Sequence, residues 1–154
     1  MTAHSVAHTT FTIERHLTAQ PERVFAAWSN PEAKRRWSSC HEEGFEVEYH
    51  LDFRVGGTEV NRASGPDGPA FAYEARLLDI VPNQRIIYAF NMHIGEKRVT
   101  VSLATVLFEP APAGTKMTFT EQIALLDGYD DIEGRKRGTE EGMDRLQPFL
   151  DGKL

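Results

Sequence analysis

The stretch RHLTAQPERVFAAWSNPEAKRRW (Arg15–Trp37) joins the end of a strand to two short helices and thereby decides the fold. Pro21 suits the first turn of a helix, where its missing N–H would have no partner, and apolar residues follow at helical spacing. The pair Asn30-Pro31 ends this helix and starts another, with the Asn30 side chain as N-cap. We therefore predict helices over residues 21–29 and 31–37.

A strand precedes these helices. Residues 10–18 alternate, with Phe11, Ile13 and Leu17 on one face, as in a half-buried strand. Residues 1–9 continue no such pattern, and we expect them to form a flexible tail. They also lack the apolar run after basic residues that marks a signal peptide.

Beyond the helices the period of the apolar residues changes to two. The stretch FEVEYHLDFR (Phe45–Arg54) alternates strictly and predicts a strand, and Gly56-Gly57 predicts the hairpin turn after it. Further strands separated by short turns are predicted over residues 58–63, 71–81, 85–92, 97–108 and 116–125. Short turns between consecutive strands indicate an antiparallel meander, so we expect about six to seven strands in one curved antiparallel sheet.

The end of the chain is predicted to form one long helix over residues 133–150, capped by Asp130 or Asp131. Its glycines recur every four residues and share one face; they are Gly134, Gly138 and Gly142. Each costs up to about 1 kcal/mol relative to alanine. We therefore expect a compensating feature, either a close approach of the sheet or space left unfilled beside the helix.

This order of elements indicates a single α+β domain over residues 1–154. Two short helices cannot cover a sheet of this size, so the long C-terminal helix must cover its concave face. A curved sheet and one helix diverge along their length, and sites in such spaces are concave and mostly apolar. The sequence therefore predicts a cavity between the sheet and the last helix.

The chain resembles the START-like helix-grip superfamily (START/Bet v 1-like, SRPBCC), and within it the activator of Hsp90 ATPase homologue 1-like branch. The stretches that carry the resemblance run in the family's order over nearly the whole chain: RHLTAQPERVFAAWSNPEAKRRW (15–37), DFRVGGTEV (52–60), LLDIVPNQRIIYAF (77–90), GTKMTFTEQ (114–122) and GTEEGMDRLQPFL (138–150). The chain departs from the family pattern at Met143, where an aromatic or large apolar residue is common, and at Pro148. The resemblance implies a ligand-holding cavity and does not imply a reaction.

Composition excludes several classes of function. The chain has 154 residues and a formal net charge of −6, which is poorly suited to binding a nucleic-acid backbone. The basic clusters 34–36 and 135–137 are expected on solvated helix faces. No apolar run approaches the length of a membrane span, and the single Cys40, expected to be a structural thiol, suits a reducing cytoplasm.

The sequence lacks the motifs of common metal, nucleotide and nucleophile sites. Its six histidines are scattered without ligand spacing, so we expect no metal. The acidic cluster over residues 127–133 lacks the alternation of a calcium loop and is expected to cap the last helix. Neither a phosphate-binding glycine motif nor a GxSxG nucleophile elbow occurs. We expect no cofactor.

One carboxylate falls among apolar neighbours. Glu121 shares its phase with Met117, Phe119 and Ile123, so it would face the cavity, where desolvation would raise its pKa as a general acid or base requires. Arg15 follows the same logic in the first strand and could pair with it. The alternative is that Glu121 is solvated or only structurally paired, which leaves it a weak candidate for catalysis.

The leading interpretation is a protein that binds a small apolar or amphipathic ligand, lipid- or polyketide-like. Its predicted cavity wall consists of Trp37, Tyr73, Phe90, Met92, Phe119, Glu121 and Met143. For Trp37 a place in the core is equally compatible with the sequence. One alternative is a polyketide cyclase or hydratase that uses a cavity carboxylate. Another is a co-chaperone-like module acting on an Hsp90-type ATPase. Under each interpretation the protein is expected to be a monomer or homodimer.

Overall fold

The computed structural model describes residues 3–39 and 44–154, and these contain seven strands. They are β1 (Val6–Leu17), β2 (Glu46–Leu51), β3 (Thr58–Ser64), β4 (Phe71–Val81), β5 (Arg85–Ile94), β6 (Lys97–Ala111) and β7 (Gly114–Leu126). All neighbours are antiparallel, in the order β1-β7-β6-β5-β4-β3-β2. The predicted α+β class and curved antiparallel sheet are confirmed.

The first strand is longer than the sequence indicated. The predicted tail included residues 6–9, but these belong to β1, because Val6 pairs with Leu126 and the pairing continues to Leu17 and Thr115. The alternation is weak there because the side chains of residues 6–8 are exposed. Backbone pairing with the long β7 therefore extends β1 where no apolar pattern announces it.

The two short helices lie where the sequence predicted them, α1 over Pro21–Ser29 and α2 over Pro31–Ser38. The Asn30 side chain accepts a hydrogen bond from the Ala33 N–H at 3.0 Å, so Asn30 is the N-cap of α2. Asn30 also ends α1, so a single residue separates the two helices.

The C-terminal helix is divided into α3 (Ile132–Asp144) and α4 (Leu146–Leu150). Asp131 caps α3 by accepting a hydrogen bond from the Gly134 N–H at 3.0 Å. Pro148 explains the break, because it has no N–H to donate to the carbonyl of Asp144 and its ring crowds that turn. The chain still follows one helical path, since Arg145 between the two parts has helical backbone angles.

The core lies between the concave side of the sheet, α1 and α4. It includes Val24, Trp28, Ile86, Val106 and Leu146, which are almost fully buried. The middle of α3 contributes little to it, because Gly142 and Met143 are the buried residues of that helix. Among the described residues, no helix is long and apolar enough to cross a bilayer. Cys40 lies outside the described residues.

Candidate functional site

A cavity of about 850 Å³ lies between the concave face of the sheet, the end of α2 and α3. Its volume falls in the range of small-molecule sites, about 300–1,000 Å³. Gly134, Gly138 and Gly142 all border it. A Cβ at Gly138 would meet no atom within 4 Å, so this part of the glycine face leaves space unfilled.

One polar cluster of the cavity is formed by Glu121 on β7. Its Oε2 accepts hydrogen bonds from Arg135 Nη1 at 2.7 Å and from the Ser102 hydroxyl at 2.8 Å. Arg135 also donates to the hydroxyl of Thr100. The side chains of Glu121 and Arg135 are 1% and 8% exposed, so this is a buried, hydrogen-bonded ion pair that joins α3 to the sheet.

The environment of Glu121 shifts its proton affinity. Burial raises the pKa of this carboxyl above its ordinary value, and the charge of Arg135 and the hydrogen bonds from Ser102 and Arg135 only partly offset that. A carboxyl with a raised pKa inside a cavity can exchange a proton nearer neutral pH than an exposed one. The geometry therefore allows Glu121 either to bind a polar group or to act as an acid or base.

A second polar cluster surrounds Glu59 on β3. Lys34 Nζ donates to its Oε2 at 2.7 Å, and the Tyr73 hydroxyl donates to its Oε1 at 3.0 Å. The Tyr49 hydroxyl also donates to Oε2, at 2.5 Å, but Tyr49 lies outside the described cavity lining, whereas Lys34, Glu59 and Tyr73 belong to it. We call these three residues the Glu59 cluster.

The ammonium group of Lys34 lies beside two tryptophan rings. Its Nζ lies 4.9 Å from the ring centre of Trp28 and 5.7 Å from that of Trp37. The two indoles pack edge to face at 4.8 Å, and Trp37 Nε1 donates to the Ala27 carbonyl at 2.8 Å. These contacts fix the ammonium by cation–π attraction as well as by its ion pair.

Aromatic rings from the strands of the sheet line the cavity between the two clusters. The ring centres of Tyr73 and Phe90 are 4.9 Å apart, and those of Phe90 and Tyr88 are 5.8 Å apart. Burial raises the pKa of Tyr73 and Tyr88 well above its ordinary value, and the charge of Glu59 adds to this. Both hydroxyls therefore stay protonated and serve as neutral hydrogen-bonding groups.

The structure brings the predicted wall residues together. All of them border the cavity: Trp37, Tyr73, Phe90, Met92, Phe119, Glu121 and Met143. Trp37 combines the two roles that the sequence left open, because it is 3% exposed in the core and also borders the cavity. Whether these residues bind a ligand stays a prediction.

Sequence reasoning missed the cations. Lys34 and Arg135 were expected on solvated helix faces, but both are buried and paired. Arg15 was expected near Glu121, yet its Nη2 donates to Asp144 at 3.0 Å and it lies outside the described lining. The available signals were helical spacing: Lys34 lies three residues before Trp37, and Arg135 shares the glycine face of α3.

Glu59 gave no signal in the sequence. In β3 the large apolar residue Val60 suggests which face is buried, but the neighbouring phase with Glu59, Asn61 and Ala63 borders the cavity. The buried face of this strand is thus polar or small, which reverses the usual alternation. Among the described residues, no group of three or more His, Cys, Asp or Glu side chains could hold a metal ion.

Comparison with known proteins identifies relatives. A family model described as Activator of Hsp90 ATPase homolog 1-like protein matches residues 18–151. A solved structure of an uncharacterized protein from Rhizobium leguminosarum is 55% identical, with a TM-score of 0.93, covering 97% of this chain and 99% of that one. Mll3558 from Rhizobium loti is 42% identical with a TM-score of 0.86 over the same shares of the two chains. No curated protein matches the chain.

A more distant solved structure has the same fold. The protein CV1439 from Chromobacterium violaceum is 25% identical, with a TM-score of 0.74, covering 92% of this chain and 96% of that one. The helix-grip architecture is therefore common to relatives whose sequences have diverged widely.

Proposed function

Because the chain belongs to the family of Activator of Hsp90 ATPase homolog 1-like proteins and has a cavity of ligand size between its sheet and α3, we propose that it binds a small amphipathic molecule there. The ligand lies between the sheet and α3, with its apolar part against Phe90, Phe119 and Met143. Its polar group contacts the Glu121–Arg135 pair. The observation that carries this proposal is an aromatic cavity of ligand size with a buried ion pair in its wall.

The ion pair supports this proposal because some of its hydrogen-bond donors and acceptors have no partner among the residues that the structure describes. Glu121 Oε2 accepts the hydrogen bonds from both Ser102 and Arg135, so lone pairs of Oε1 remain available to a ligand donor. The guanidinium of Arg135 has five N–H donors, and two of them are used by Glu121 and Thr100. A hydroxyl, carbonyl or carboxylate can therefore join the pair without breaking it.

The methionines provide a direct test. Met92 and Met143 border the cavity, whereas Met117 is fully buried outside the described lining. Titration of methyl-¹³C-methionine protein with dodecanoic acid, 7-hydroxyflavone and emodin should shift the Met92 and Met143 methyl resonances saturably and leave that of Met117 nearly unchanged. If none of these compounds shifts the cavity methionines, the proposal is wrong.

The anchoring role of the ion pair needs a charge-neutral change. The double variant Glu121→Gln/Arg135→Met should weaken binding of 7,4′-dihydroxyflavone, which carries a hydroxyl at each end, about three- to tenfold, the equivalent of about one hydrogen bond. Glu48→Gln/Arg62→Met is the matched control, because that pair also connects by a direct hydrogen bond, at 3.2 Å, but is exposed. Equal affinities for both double variants in calorimetric titration would remove Glu121 and Arg135 from the site.

A second candidate is acid–base catalysis on a polyketide-like substrate, such as cyclisation or hydration. The observation that favours it is the raised pKa of Glu121 inside the cavity. Glu121→Gln should then abolish turnover of a cavity-bound polyketide while retaining its binding, as followed by product analysis. Turnover that survives this substitution would dismiss Glu121 as the acid or base.

A further inference from the structure

The Glu59 cluster borders the cavity from β3 and Glu121 borders it from β7. A cross-strand row of inward residues runs from Glu59 through Ala75 and Phe90 to Ser102, and the Ser102 hydroxyl donates to Glu121. β3 and β7 are four strand spacings apart, about 19 Å along the curved sheet. The cavity thus has a polar cluster at each end of one row and aromatic side chains between them.

The Glu59 cluster is built but not saturated. Glu59 Oε1 accepts one hydrogen bond, from Tyr73, and Lys34 Nζ uses one of its three N–H donors on Glu59. The Tyr73 hydroxyl donates its proton to Glu59, and its oxygen also interacts with the Tyr88 hydroxyl, so Glu59 Oε1 is the free acceptor of the cluster. A ligand hydroxyl can therefore accept from Lys34 and donate to Glu59 Oε1 at the same time.

Burial makes this capacity selective. The side chains of Lys34 and Glu59 are 8% and 5% exposed, so water competes weakly for their free sites, and an apolar group placed there would leave them unsatisfied. At the other end, the guanidinium carbon of Arg135 lies 5.8 Å from the ring centre of Phe90. A flat aromatic ligand that lies on the sheet side of the cavity would therefore meet hydrogen-bonding groups of the protein at both of its ends.

We infer that the Glu59 cluster is a second polar subsite, and that the ligand is an elongated aromatic molecule with a hydroxyl or carbonyl group at each end. This inference rests on the proposed function, since it names the ligand class of the same cavity. It excludes single-headed lipids as the best ligands. A fatty acid has one polar end and would leave one cluster facing hydrocarbon.

A series of flavones separates the two ends. Flavone, 7-hydroxyflavone, 4′-hydroxyflavone and 7,4′-dihydroxyflavone share one ring system and differ only in terminal hydroxyls. In calorimetric titrations each hydroxyl should tighten binding about three- to tenfold, and the two fold-changes should multiply in the dihydroxy compound. Dodecanoic acid should bind more weakly than the dihydroxy compound.

Variants assign each hydroxyl to its cluster. Lys34→Met/Glu59→Gln should abolish the gain from one hydroxyl, and Glu121→Gln/Arg135→Met the gain from the other. Thermal melts establish that each variant is folded. If Lys34→Met/Glu59→Gln does not fold, Tyr73→Phe keeps the ion pair and should reduce the same gain, whereas Tyr49→Phe, whose hydroxyl reaches Glu59 from outside the cavity, should leave affinities within twofold.

The outcomes distinguish the two proposals. If the flavones bind but Lys34→Met/Glu59→Gln and Tyr73→Phe leave both hydroxyl gains unchanged, the second subsite is wrong and the proposed function stands. The same conclusion follows if dodecanoic acid binds more tightly than the dihydroxy compound. If none of the four flavones and no lipid binds, both proposals fail.

Discussion

The Lys34–Glu59 and Arg135–Glu121 ion pairs have the same nitrogen–oxygen distance, 2.7 Å, but their cations lie on helices that are packed differently. Lys34 belongs to α2, whose Trp37 is packed in the core, and it contacts two indole rings. Arg135 belongs to α3, which buries little apolar surface of its own. The first pair therefore contributes to the stability of the whole fold, whereas the second determines how firmly α3 lies on the cavity.

Removing the cation of the first pair should have the largest effect. Lys34→Met should lower the free energy of unfolding by about 3–5 kcal/mol, because Glu59 would remain as a buried carboxylate without its cation. Urea denaturation measures this loss. Lys34→Met/Glu59→Gln should recover most of it, and the exposed Arg62→Met should lose less than about 1 kcal/mol. A loss for Lys34→Met no larger than for Arg62→Met would contradict the comparison.

Removing the cation of the second pair should affect α3 more than the whole domain. Arg135→Met should lower the free energy of unfolding by about 1–2 kcal/mol, because α3 can separate locally and allow water to reach Glu121. Hydrogen exchange should accelerate across α3 and stay unchanged in β5 and β6. A global loss equal to that of Lys34→Met, without faster exchange in α3, would show that the two ion pairs are equivalent.

Stabilising α3 itself should sharpen the difference. Gly138→Ala should raise the free energy of unfolding by about 0.5–1 kcal/mol, since alanine favours the helix and its Cβ meets no atom within 4 Å. Gly134→Ala is the matched change in the first turn, where a Cβ would overlap the capping Asp131 carboxylate. Thermal melts should show no gain for Gly134→Ala, and an equal gain at both positions would disprove the packing described for α3.

The smallest effect concerns protonation. Burial raises the pKa of Glu121, whereas His16 and Lys116 lower that of the exposed Glu14. A ¹³C NMR titration of the carboxyls should therefore show Glu121 titrating at higher pH than Glu14. With the folded pKa raised, the stability from protonated Glu121 is present below its unfolded pKa and lost as pH rises through its folded pKa. Titration of Glu121 below Glu14 would contradict this assignment.

Much of the fold could be predicted because its local signals agree. Asn30-Pro31 fixes the break between α1 and α2, and strict alternation identifies β2 and β7. The division at Arg145 is visible in the sequence as Pro148, but proline alone does not distinguish a break from a kink. The start of β1 could not be predicted, because pairing with β7 and not side-chain pattern sets it.

The apolar wall of the site and Glu121 could be predicted from the sequence, but the other charged residues could not. Phe90, Phe119 and Met143 can be predicted from strand and helix periodicity. Glu121 can be predicted because it lies on the same face of β7 as Phe119. Lys34 and Glu59 could not be placed, because each lies inside only through its partner, 25 positions away in the chain. A single charged residue indicates the surface, and burial becomes favourable only when tertiary structure supplies the opposite charge.

The pairing of β1 with β7 has a consequence for the order in which the chain folds. Strands β2 to β7 are connected by successive hairpins between neighbours in sequence. In contrast, β1 pairs with β7, so Val6 can pair only after Leu126 has been synthesised. Such long-range pairing is slow to form. During synthesis we expect β1 to stay unpaired until β7 has left the ribosome, so β1 is added last, at the edge of the sheet.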